Sequence, residues 1–330
     1  MKNRGCFTAL VTPFQANGAI DWEGLKKNVQ YQIREGLKGL VPTGTTGESP
    51  TLSPLEHSNV ISQVAGMASD EIFVLAGTGS NCTEEMLQYG ESAQTAGSNG
   101  LLMVDCYYNG PSSIELRDEY YTPAAEKFPH LEICPYVIPG RTGCALLPED
   151  LKVLAEKYPH VSAVKEATGD LERMKETRRI MPEGFKIFSG DDDKTFTMMS
   201  DPDIRADGVI SVMANVVPGA IQKMCSSILN GEMKEAEEIK EALDPIFSLV
   251  NVKCGQNKFR NPVPVKTIMR GLGMPAGKCR RPLGRMVPEG VETVRSALEQ
   301  VWQQNPWILK PVEEFYGVDI DERLKNPELW

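Results

Sequence analysis

The chain has 330 residues, of which 41% are hydrophobic and 24% are charged, and its formal net charge is −10. A chain of this size and composition can bury a full core and still form a single barrel domain. The negative charge disfavours nucleic-acid or anionic-membrane partners, because both would repel an acidic surface. We therefore expect an ordinary soluble globular protein that acts on small molecules.

Cysteine and histidine spacing argues against disulfides and zinc. The eight cysteines include no Cys-x-x-Cys pair and are too sparse for a disulfide framework, which favours buried thiols in a reducing cytoplasm. The three histidines form no metal-binding motif, and the acidic run 191–193 is explained more simply as the start of a helix. No stretch resembles a secretory signal or a membrane span. These patterns predict a cytoplasmic protein with a metal-free mechanism.

The first two thirds of the chain alternate short β-rich runs with helical periodicity. Asp21 can cap a helix that carries Leu25, Val29 and Ile33 on one face. Residues 53–56 form a capping box with proline at the first helical position of the next helix. The predicted strands are 7–11, 39–42, 72–76, 101–104, 133–137, 163–165, 186–188 and 208–212. This rhythm favours an α/β protein with a closed (β/α)8 barrel over an open doubly wound sheet.

After the last of these strands only helical patterns follow, such as 232–252 and 289–303. We predict a barrel domain over 1–217 and a helical layer packed on it over 218–303. The remaining segment, 304–330, contains too many aromatic residues for a disordered tail. It can either pack on its own barrel or contribute to a subunit interface.

Polar side chains follow several of the predicted strands, at the end of the barrel where active sites lie. Lys165 ends the sixth strand, and a buried lysine is either paired or held as a neutral amine that can form a Schiff base. The other side chains on this face are Thr45, Thr46, Tyr107, Tyr108, Tyr136 and Arg141. Each could simply stabilise a turn. Their coincidence at one mouth favours a site with a nucleophile, proton carriers and a carboxylate-binding group.

Several motifs occur in order and at consistent spacing along the chain. They are Gly44-Thr-Thr-Gly-Glu48, Tyr107-Tyr-Asn109, Tyr136 with Pro139-Gly-Arg-Thr-Gly143, Val164-Lys-Glu-Ala-Thr-Gly169, Ser189-Gly-Asp-Asp192, Gly208-Val-Ile-Ser-Val212 with Ala214-Asn215, and Asn261-Pro-Val-Pro-Val-Lys266. Together they resemble the dihydrodipicolinate synthase family, in the superfamily of pyruvate-dependent class I aldolases and N-acetylneuraminate lyases. The resemblance runs from about residue 5 to residue 301 and also implies a TIM barrel.

The resemblance implies condensation of pyruvate with L-aspartate-4-semialdehyde to 4-hydroxy-tetrahydrodipicolinate, a step of lysine (diaminopimelate) biosynthesis. The family's Schiff-base lysine falls on Lys165 and its phenolic proton carrier on Tyr136. Thr45 resembles the hydroxyl that links Tyr136 to Tyr108, which in the family reaches into the site of a neighbouring subunit. We therefore expect a homo-oligomer built from a tight dimer, normally as a dimer of dimers. The implied chemistry needs no metal and no organic cofactor.

The resemblance also assigns positions that bind substrates and a regulator. Thr46 resembles the residue that holds the pyruvate carboxylate, Arg141 the one that takes the carboxylate of the aldehyde, and Ile210 the one whose carbonyl faces the site. Some members bind lysine at the dimer interface as a feedback inhibitor. The corresponding positions here, which could instead only pack the dimer, are Ser49, His57, Asn81, Glu85 and Tyr107.

Two departures from the family pattern concern the pocket of the second substrate. Asp105-Cys106 stands where many members have Thr-Pro, and Tyr136-Val-Ile-Pro139 stands where they have Tyr-Asn-Val-Pro. The superfamily also contains N-acetylneuraminate lyases and keto-deoxy sugar acid aldolases with the same lysine and tyrosine. These activities remain alternatives, as does a keto-acid sensor without turnover. The run from Pro139 to Gly143 favours the synthase.

Overall fold

The centre of the molecule is a closed barrel of parallel strands. The computed structural model describes residues 3–330, and within this range eight strands close the barrel in chain order. They are β1 (Gly5–Ala9), β2 (Gly39–Val41), β3 (Phe73–Gly77), β4 (Gly100–Val104), β5 (Glu132–Val137), β6 (Ala163–Glu166), β7 (Lys186–Ser189) and β8 (Gly208–Ser211). β1 pairs with both β2 and β8, which confirms the predicted (β/α)8 TIM barrel. Residues 1 and 2, at the start of the predicted 1–217 domain, lie outside the described residues.

Helices follow the strands along the chain. They are α1 (Trp22–Arg34), α2 (Pro54–Met67), α3 (Thr83–Thr95), α4 (Ser113–Glu115), a π-helical turn (Leu116–Tyr121), α5 (Thr122–Lys127), α6 (Pro139–Thr142), α7 (Pro148–Lys157), α8 (Leu171–Ile180), α9 (Thr195–Ser200) and α10 (Pro218–Leu229). Asp21 caps α1 by accepting a hydrogen bond of 3.0 Å from the amide of Gly24. Ser53 and Glu56 form the predicted capping box of α2. The local capping signals therefore predicted both helix starts correctly.

Large apolar side chains fill the inside of the barrel. The rings of Phe7 on β1 and Phe188 on β7 meet edge to face with centroids 5.1 Å apart, and both are fully buried. A Cβ atom at Gly39 would overlap the ring of Phe7, so only glycine fits on β2 at this level. Because these side chains occupy the barrel interior, ligands can bind only above them, at the carboxyl ends of the strands.

The segment after the barrel contains a β-hairpin that was not predicted. The helices here are α11 (Met233–Phe247), α12 (Val263–Gly271) and α13 (Pro288–Gln304). The helix predicted over 232–252 ends at Phe247, and an antiparallel hairpin of β9 (Asn251–Cys254) and β10 (Asn257–Arg260) follows it. The expectation of helices alone was therefore wrong. Exposed and buried residues alternate along β9 with the period of two that is typical of a strand.

The aromatic tail packs on α1. It contains the short helices α14 (Lys310–Tyr316) and α15 (Ile320–Lys325). The ring of Tyr31 lies with its centroid 5.2 Å from those of both Phe315 and Tyr316. The hydroxyl of Tyr316 donates a hydrogen bond of 3.0 Å to Oδ1 of Asn28. These contacts favour packing on its own barrel, one of the two roles considered for this tail.

Cysteine exposure differs in part from the prediction. All cysteines are free thiols, and most of them are buried as expected. Cys82 is exposed, because it stands at the surface end of α3, and Cys106 is half-buried. Over residues 3–330, no helix combines the length and the apolar composition needed to cross a membrane.

Candidate active site

Lys165 lies on β6 beside Tyr136 of β5, with which it is paired in the strand register. Its Nζ atom is 4.1 Å from the centroid of the Tyr136 ring. Lys165 is only 5% exposed, and burial lowers the pKa of its ammonium group to about 8, although the nearby carboxylate of Asp191 opposes this shift. A useful fraction of the amine is therefore neutral near pH 8. The neutral amine is the form that can attack a carbonyl carbon.

The loop after β7 makes room for the lysine and adds a carboxylate. A Cβ atom at Gly190 would lie 2.6 Å from Cβ of Ala167 and 3.1 Å from Cε of Lys165, so a larger residue would overlap Ala167 and crowd the lysine. Asp191 lines the same cleft as Lys165, and burial raises the pKa of its carboxyl group. Sequence reasoning did not select Asp191, because an acidic run before a helix has a simpler explanation.

The next residue of the acidic run opens a helical turn, as expected, and has a second role besides. Asp192 begins a 3₁₀ turn, but its buried carboxylate reaches β8, where it accepts hydrogen bonds from the hydroxyl of Ser211 and from the amides of Val212 (3.0 Å) and Met213 (3.2 Å). Burial raises the pKa of Asp192 to about 6. Asp192 thus holds the end of β8 in place. Among residues 3–330, no cluster of three or more His, Cys, Asp or Glu side chains is arranged to hold a metal ion.

Tyr136 and Thr45 form a pair of hydroxyl groups in the cleft of Lys165. The side chains of Tyr136 and Thr45 are neighbours in the lining of the cleft, and burial raises the pKa of Tyr136 to about 12. The phenol therefore keeps its proton at neutral pH. Since a hydroxyl group can both donate and accept, this pair can pass protons to and from a bound substrate.

Thr46 and Arg141 are joined through one asparagine. The Nδ2 atom of Asn261 donates a hydrogen bond of 3.0 Å to the hydroxyl of Thr46. The guanidinium group of Arg141 donates one of 3.0 Å to the carbonyl of Asn261. Asn261 thus positions both candidate carboxylate-binding residues. Asn261 stands in one of the sequence motifs, but no local pattern indicates its role, because its partners are distant along the chain.

The loop that carries Thr45 and Thr46 is anchored by a buried ion pair. Glu48 adopts a left-handed backbone conformation with φ of +59°. Its carboxylate accepts hydrogen bonds from Nζ of Lys266 at 2.6 Å and from the amide of Arg280 at 2.8 Å. Breaking such a buried pair leaves an uncompensated charge, which is strongly unfavourable. The ion pair therefore ties the threonine loop to α12.

The site residues surround a continuous cleft at the carboxyl end of the barrel. Its inner part, of about 290 Å³, contains Lys165. Its outer part, of about 200 Å³, reaches Ser49 and Tyr107. Both parts are lined by Gly44, Thr45, Leu102, Tyr136 and Arg141. The predicted nucleophile, hydroxyl pair and guanidinium group are thus brought together in one place.

Two predicted residues lie apart from this lining. Tyr108 is 88% exposed and has a φ of +79°, so its ring points away from the site of its own chain. Ile210 is fully buried in the apolar cluster inside the barrel, below the cleft. Val212, two residues further on, lines the cleft instead. The cross-subunit role of Tyr108 and the contact of the Ile210 carbonyl with substrate stay predictions.

Two of the five candidate feedback residues, Ser49 and Tyr107, line the outer part of the cleft. Glu85 accepts a hydrogen bond from the hydroxyl of Ser80, which places its carboxylate on the same side of the barrel as Tyr107. Asn81 is exposed and lies between Ser80 and Glu85 along the chain. These four residues offer one negative charge and polar partners for a cationic ligand.

His57 occupies a different environment. It is fully buried on α2, and its ring stacks on Tyr89 with centroids 3.9 Å apart. Burial lowers the pKa of His57 to about 4, so the ring is neutral under ordinary conditions. His57 therefore adds no charge to a cation site, and its contact with a ligand stays a prediction.

Comparisons with known proteins connect this geometry to one family. The sequence model of the Dihydrodipicolinate synthetase family matches residues 2–301. A 4-hydroxy-tetrahydrodipicolinate synthase from Methanocaldococcus jannaschii is 37% identical over 298 residues, which cover 90% of this chain and 98% of that relative. The match thus includes the barrel and most of the C-terminal helices.

Solved structures of the same kind superpose closely. The synthase from Cyanidioschyzon merolae, with lysine bound, has a TM-score of 0.84 at 32% identity and covers 90% of this chain and 98% of its own. The chloride-inhibited synthase from Acinetobacter baumannii, complexed with pyruvate, has a TM-score of 0.83 at 32% identity with the same coverage. The chain therefore belongs to the dihydrodipicolinate synthetase family.

Proposed function

We propose that this protein is a 4-hydroxy-tetrahydrodipicolinate synthase, a Schiff-base lyase of lysine (diaminopimelate) biosynthesis. Its substrates would be pyruvate and L-aspartate-4-semialdehyde. The observation that carries the proposal is a buried lysine with a lowered pKa, packed against a protonated phenol in a cleft that also holds a guanidinium group. The relatives with this activity, and the Acinetobacter structure with pyruvate, support the same substrate class.

The residues of the cleft can carry each step of this reaction. The neutral amine of Lys165 attacks the keto carbon of pyruvate, and loss of water leaves an iminium ion. The iminium withdraws electrons, so the methyl group of pyruvate loses a proton and the resulting enamine adds to the aldehyde carbon. The amine of the semialdehyde then closes the ring onto the iminium carbon and releases Lys165. Tyr136 and Thr45 supply and remove the protons.

The carboxylate groups of the two substrates would occupy different places. Thr46 lies in the inner cleft with Lys165 and fits the carboxylate of pyruvate. Arg141 is shared by the inner and outer parts and fits the carboxylate of the incoming aldehyde, because a guanidinium group binds a carboxylate through two parallel hydrogen bonds. This arrangement holds the aldehyde on the open side of the enamine.

Arg141→Ala should raise the Michaelis constant for aspartate semialdehyde about tenfold or more, since a charge-assisted pair is lost. The constant for pyruvate should change by no more than about twofold. Arg141→Lys keeps the charge without the paired donors and should fall between these extremes. Initial rates with each substrate varied in turn provide the test. Equal increases for both substrates would show that Arg141 does not select the aldehyde.

A direct assay separates the proposed activity from its alternatives. Condensation of pyruvate with aspartate semialdehyde, coupled to a reductase that consumes the product, should exceed cleavage of sialic acid or of a keto-deoxy sugar acid. Faster cleavage of either sugar acid would replace the synthase assignment by a lyase or aldolase. A stable pyruvate adduct without turnover of any of these substrates would support a sensor.

The exposed ring of Tyr108 supports a dimer. Tyr108 is 88% exposed and follows Tyr107, which lines the outer part of the cleft. Exposed aromatic rings of this kind often pack into the interface with a second subunit. In a dimer Tyr108 could complete the relay of Tyr136 and Thr45 in the neighbouring site. We propose this assembly, with a dimer of dimers as the full oligomer.

Lysine should inhibit the enzyme when it binds beside the outer cleft, as the lysine-bound Cyanidioschyzon structure suggests. Glu85 would pair with the ammonium groups, and Tyr107 next to Tyr108 would transmit the effect to the proton relay. Inhibition should therefore lower the turnover number more than the affinity for pyruvate. Initial rates at lysine concentrations up to millimolar values will show this effect.

Glu84, the acidic residue next to Glu85 on α3, provides the control for the test with lysine. Glu85→Ala should abolish the inhibition by lysine, whereas Glu84→Ala, which removes an exposed carboxylate one position earlier, should leave it unchanged. A wild-type rate that is constant over the whole range of lysine concentration would leave these residues with a packing role only.

The thiol state fits a reducing compartment. Every cysteine of residues 3–330 is free, and most are buried where they are inert. We propose that the protein acts in the cytoplasm, where thiols stay reduced.

A further inference from the structure

The β9–β10 hairpin forms one edge of the active-site cleft. Asn251, Lys258 and Arg260 line its inner part, the part that contains Lys165. In the hairpin register Arg260 lies opposite Asn251, and Lys258 lies opposite Lys253. Residues that face each other across an antiparallel pair project from the same side of the hairpin. One polar face of the hairpin therefore carries the cations Lys253, Lys258 and Arg260. Of these, Lys258 and Arg260 line the cleft.

The other face of the hairpin fixes its position. Val252 and Cys254 are buried, and Phe259 packs against the main hydrophobic core. A Cβ atom at Gly290 of α13 would lie only 2.9 Å from Sγ of Cys254, so the hairpin and α13 are in close contact. The alternation of apolar and polar residues thus holds the cationic face towards the cleft. These cations belong to a packed element of the fold.

Positive charge exceeds negative charge along this cleft. Lys258 and Arg260 make no ion pair within residues 3–330. The charge of Arg260 also acts on Arg141, whose pKa is lowered mainly by burial and in part by Arg260. Of the residues that line the inner part, only Asp191 is acidic. Cations that remain unpaired and point into one cleft favour an anionic ligand.

The proposed reaction leaves these two cations without a partner. Pyruvate has one carboxylate, which is assigned to Thr46, and aspartate semialdehyde has one carboxylate, which is assigned to Arg141. The amino group of the semialdehyde is itself positively charged and would avoid the hairpin. A ligand that satisfies Lys258 and Arg260 must therefore carry a further acidic group.

We propose that Lys258 and Arg260 form a further carboxylate-binding position at the mouth of the cleft, besides those of Thr46 and Arg141, so that the site selects dicarboxylic acids over monocarboxylic acids of the same length. Such ligands would include competitors of the aldehyde and extended acceptors with a second acid group. The inference deepens the proposed function and rests on it only for the roles of Thr46 and Arg141. The hairpin residues are specificity determinants and take no part in the chemical steps.

Binding of glutarate and of its monomethyl ester tests the proposal, because the two differ by a single charge at one end. Calorimetry at low ionic strength should show that the wild type binds glutarate about five- to tenfold more tightly than the ester, as expected for two partly exposed ion pairs. The variant with Lys258→Gln and Arg260→Gln should lose this preference. Both residues are exposed, so the double change should not disturb folding.

Lys253→Gln is the matched control. It removes the same charge from the same face of the hairpin, at the position opposite Lys258 that does not line the cleft, and should keep the preference for glutarate within about twofold. A wild type without preference, or a double variant that keeps it, would overturn the proposal. The readout is binding without turnover. A protein that prefers glutarate but fails the condensation assay would therefore contradict the proposed reaction and leave the hairpin site standing.

Discussion

Lys165→Ala should abolish the covalent adduct with pyruvate and reduce turnover about a thousandfold or more, because Lys165 is the buried amine of the cleft, whereas the other lysine that lines it, Lys258, is exposed on the hairpin. The adduct is trapped by adding borohydride to the protein with pyruvate and measuring the mass of the intact chain. Wild type should gain the mass of one reduced pyruvate unit, and the variant should gain none. Lys194→Ala, which removes an exposed lysine of the neighbouring loop, should behave as wild type.

The rate at which the pyruvate adduct forms should also depend on pH. Burial lowers the pKa of Lys165 to about 8, so the amine is mostly protonated at pH 6 and mostly neutral at pH 9. The initial rate of adduct formation should therefore rise across this interval and then level off. An adduct that persists in Lys165→Ala, or a rate that falls between pH 6 and pH 9, would exclude Lys165 as the attacking group.

Tyr136→Phe should slow the chemical step by about a hundredfold or more, while the ring continues to pack against Lys165. The phenol is carried by the buried ring that packs against Nζ of Lys165, and its pKa of about 12 keeps it protonated and ready to donate. Measurement of the turnover number at saturating concentrations of both substrates tests this role. The Michaelis constant for pyruvate should change little, because its carboxylate is held elsewhere.

Tyr316→Phe is the control for the loss of a buried tyrosine hydroxyl. It removes the hydrogen bond to Asn28, far from the cleft, and should lower stability without changing the turnover number. If Tyr136→Phe retained full turnover, another group would have to move the protons and the proposed relay of Tyr136 and Thr45 would be wrong.

The barrel and its central residues were predictable because their signals are local or repeated. Strand and helix periods alternate eight times, and the capping residues of α1 and α2 stand next to the helices that they start. Lys165 follows an apolar run and Tyr136 lies near the end of another, so the topology alone places both at one end of the barrel. Several motifs at consistent spacing then indicated the family before any contact was known.

The supporting contacts were not predictable, since they join residues that are far apart in sequence. Lys266 and Glu48 are separated by 218 positions, and no local pattern indicates that they meet. Asn261 and Thr46 are separated by 215. The hairpin was missed for another reason: β9 and β10 each have only four residues, too few for a period of two to stand out beside the long pattern of α11.

The ion pair of Glu48 with Lys266 shows that the active site depends on a residue outside the barrel. The nucleophile and the hydroxyl pair belong to the barrel, but the loop of Thr45 and Thr46 takes its shape from a lysine of the C-terminal layer. The barrel segment on its own would therefore carry the reactive groups without the partner that orders them. In a chimaera of two proteins, a first third that carries Glu48 would therefore need a last third that carries a matching lysine, since the carboxylate would otherwise be buried without its partner.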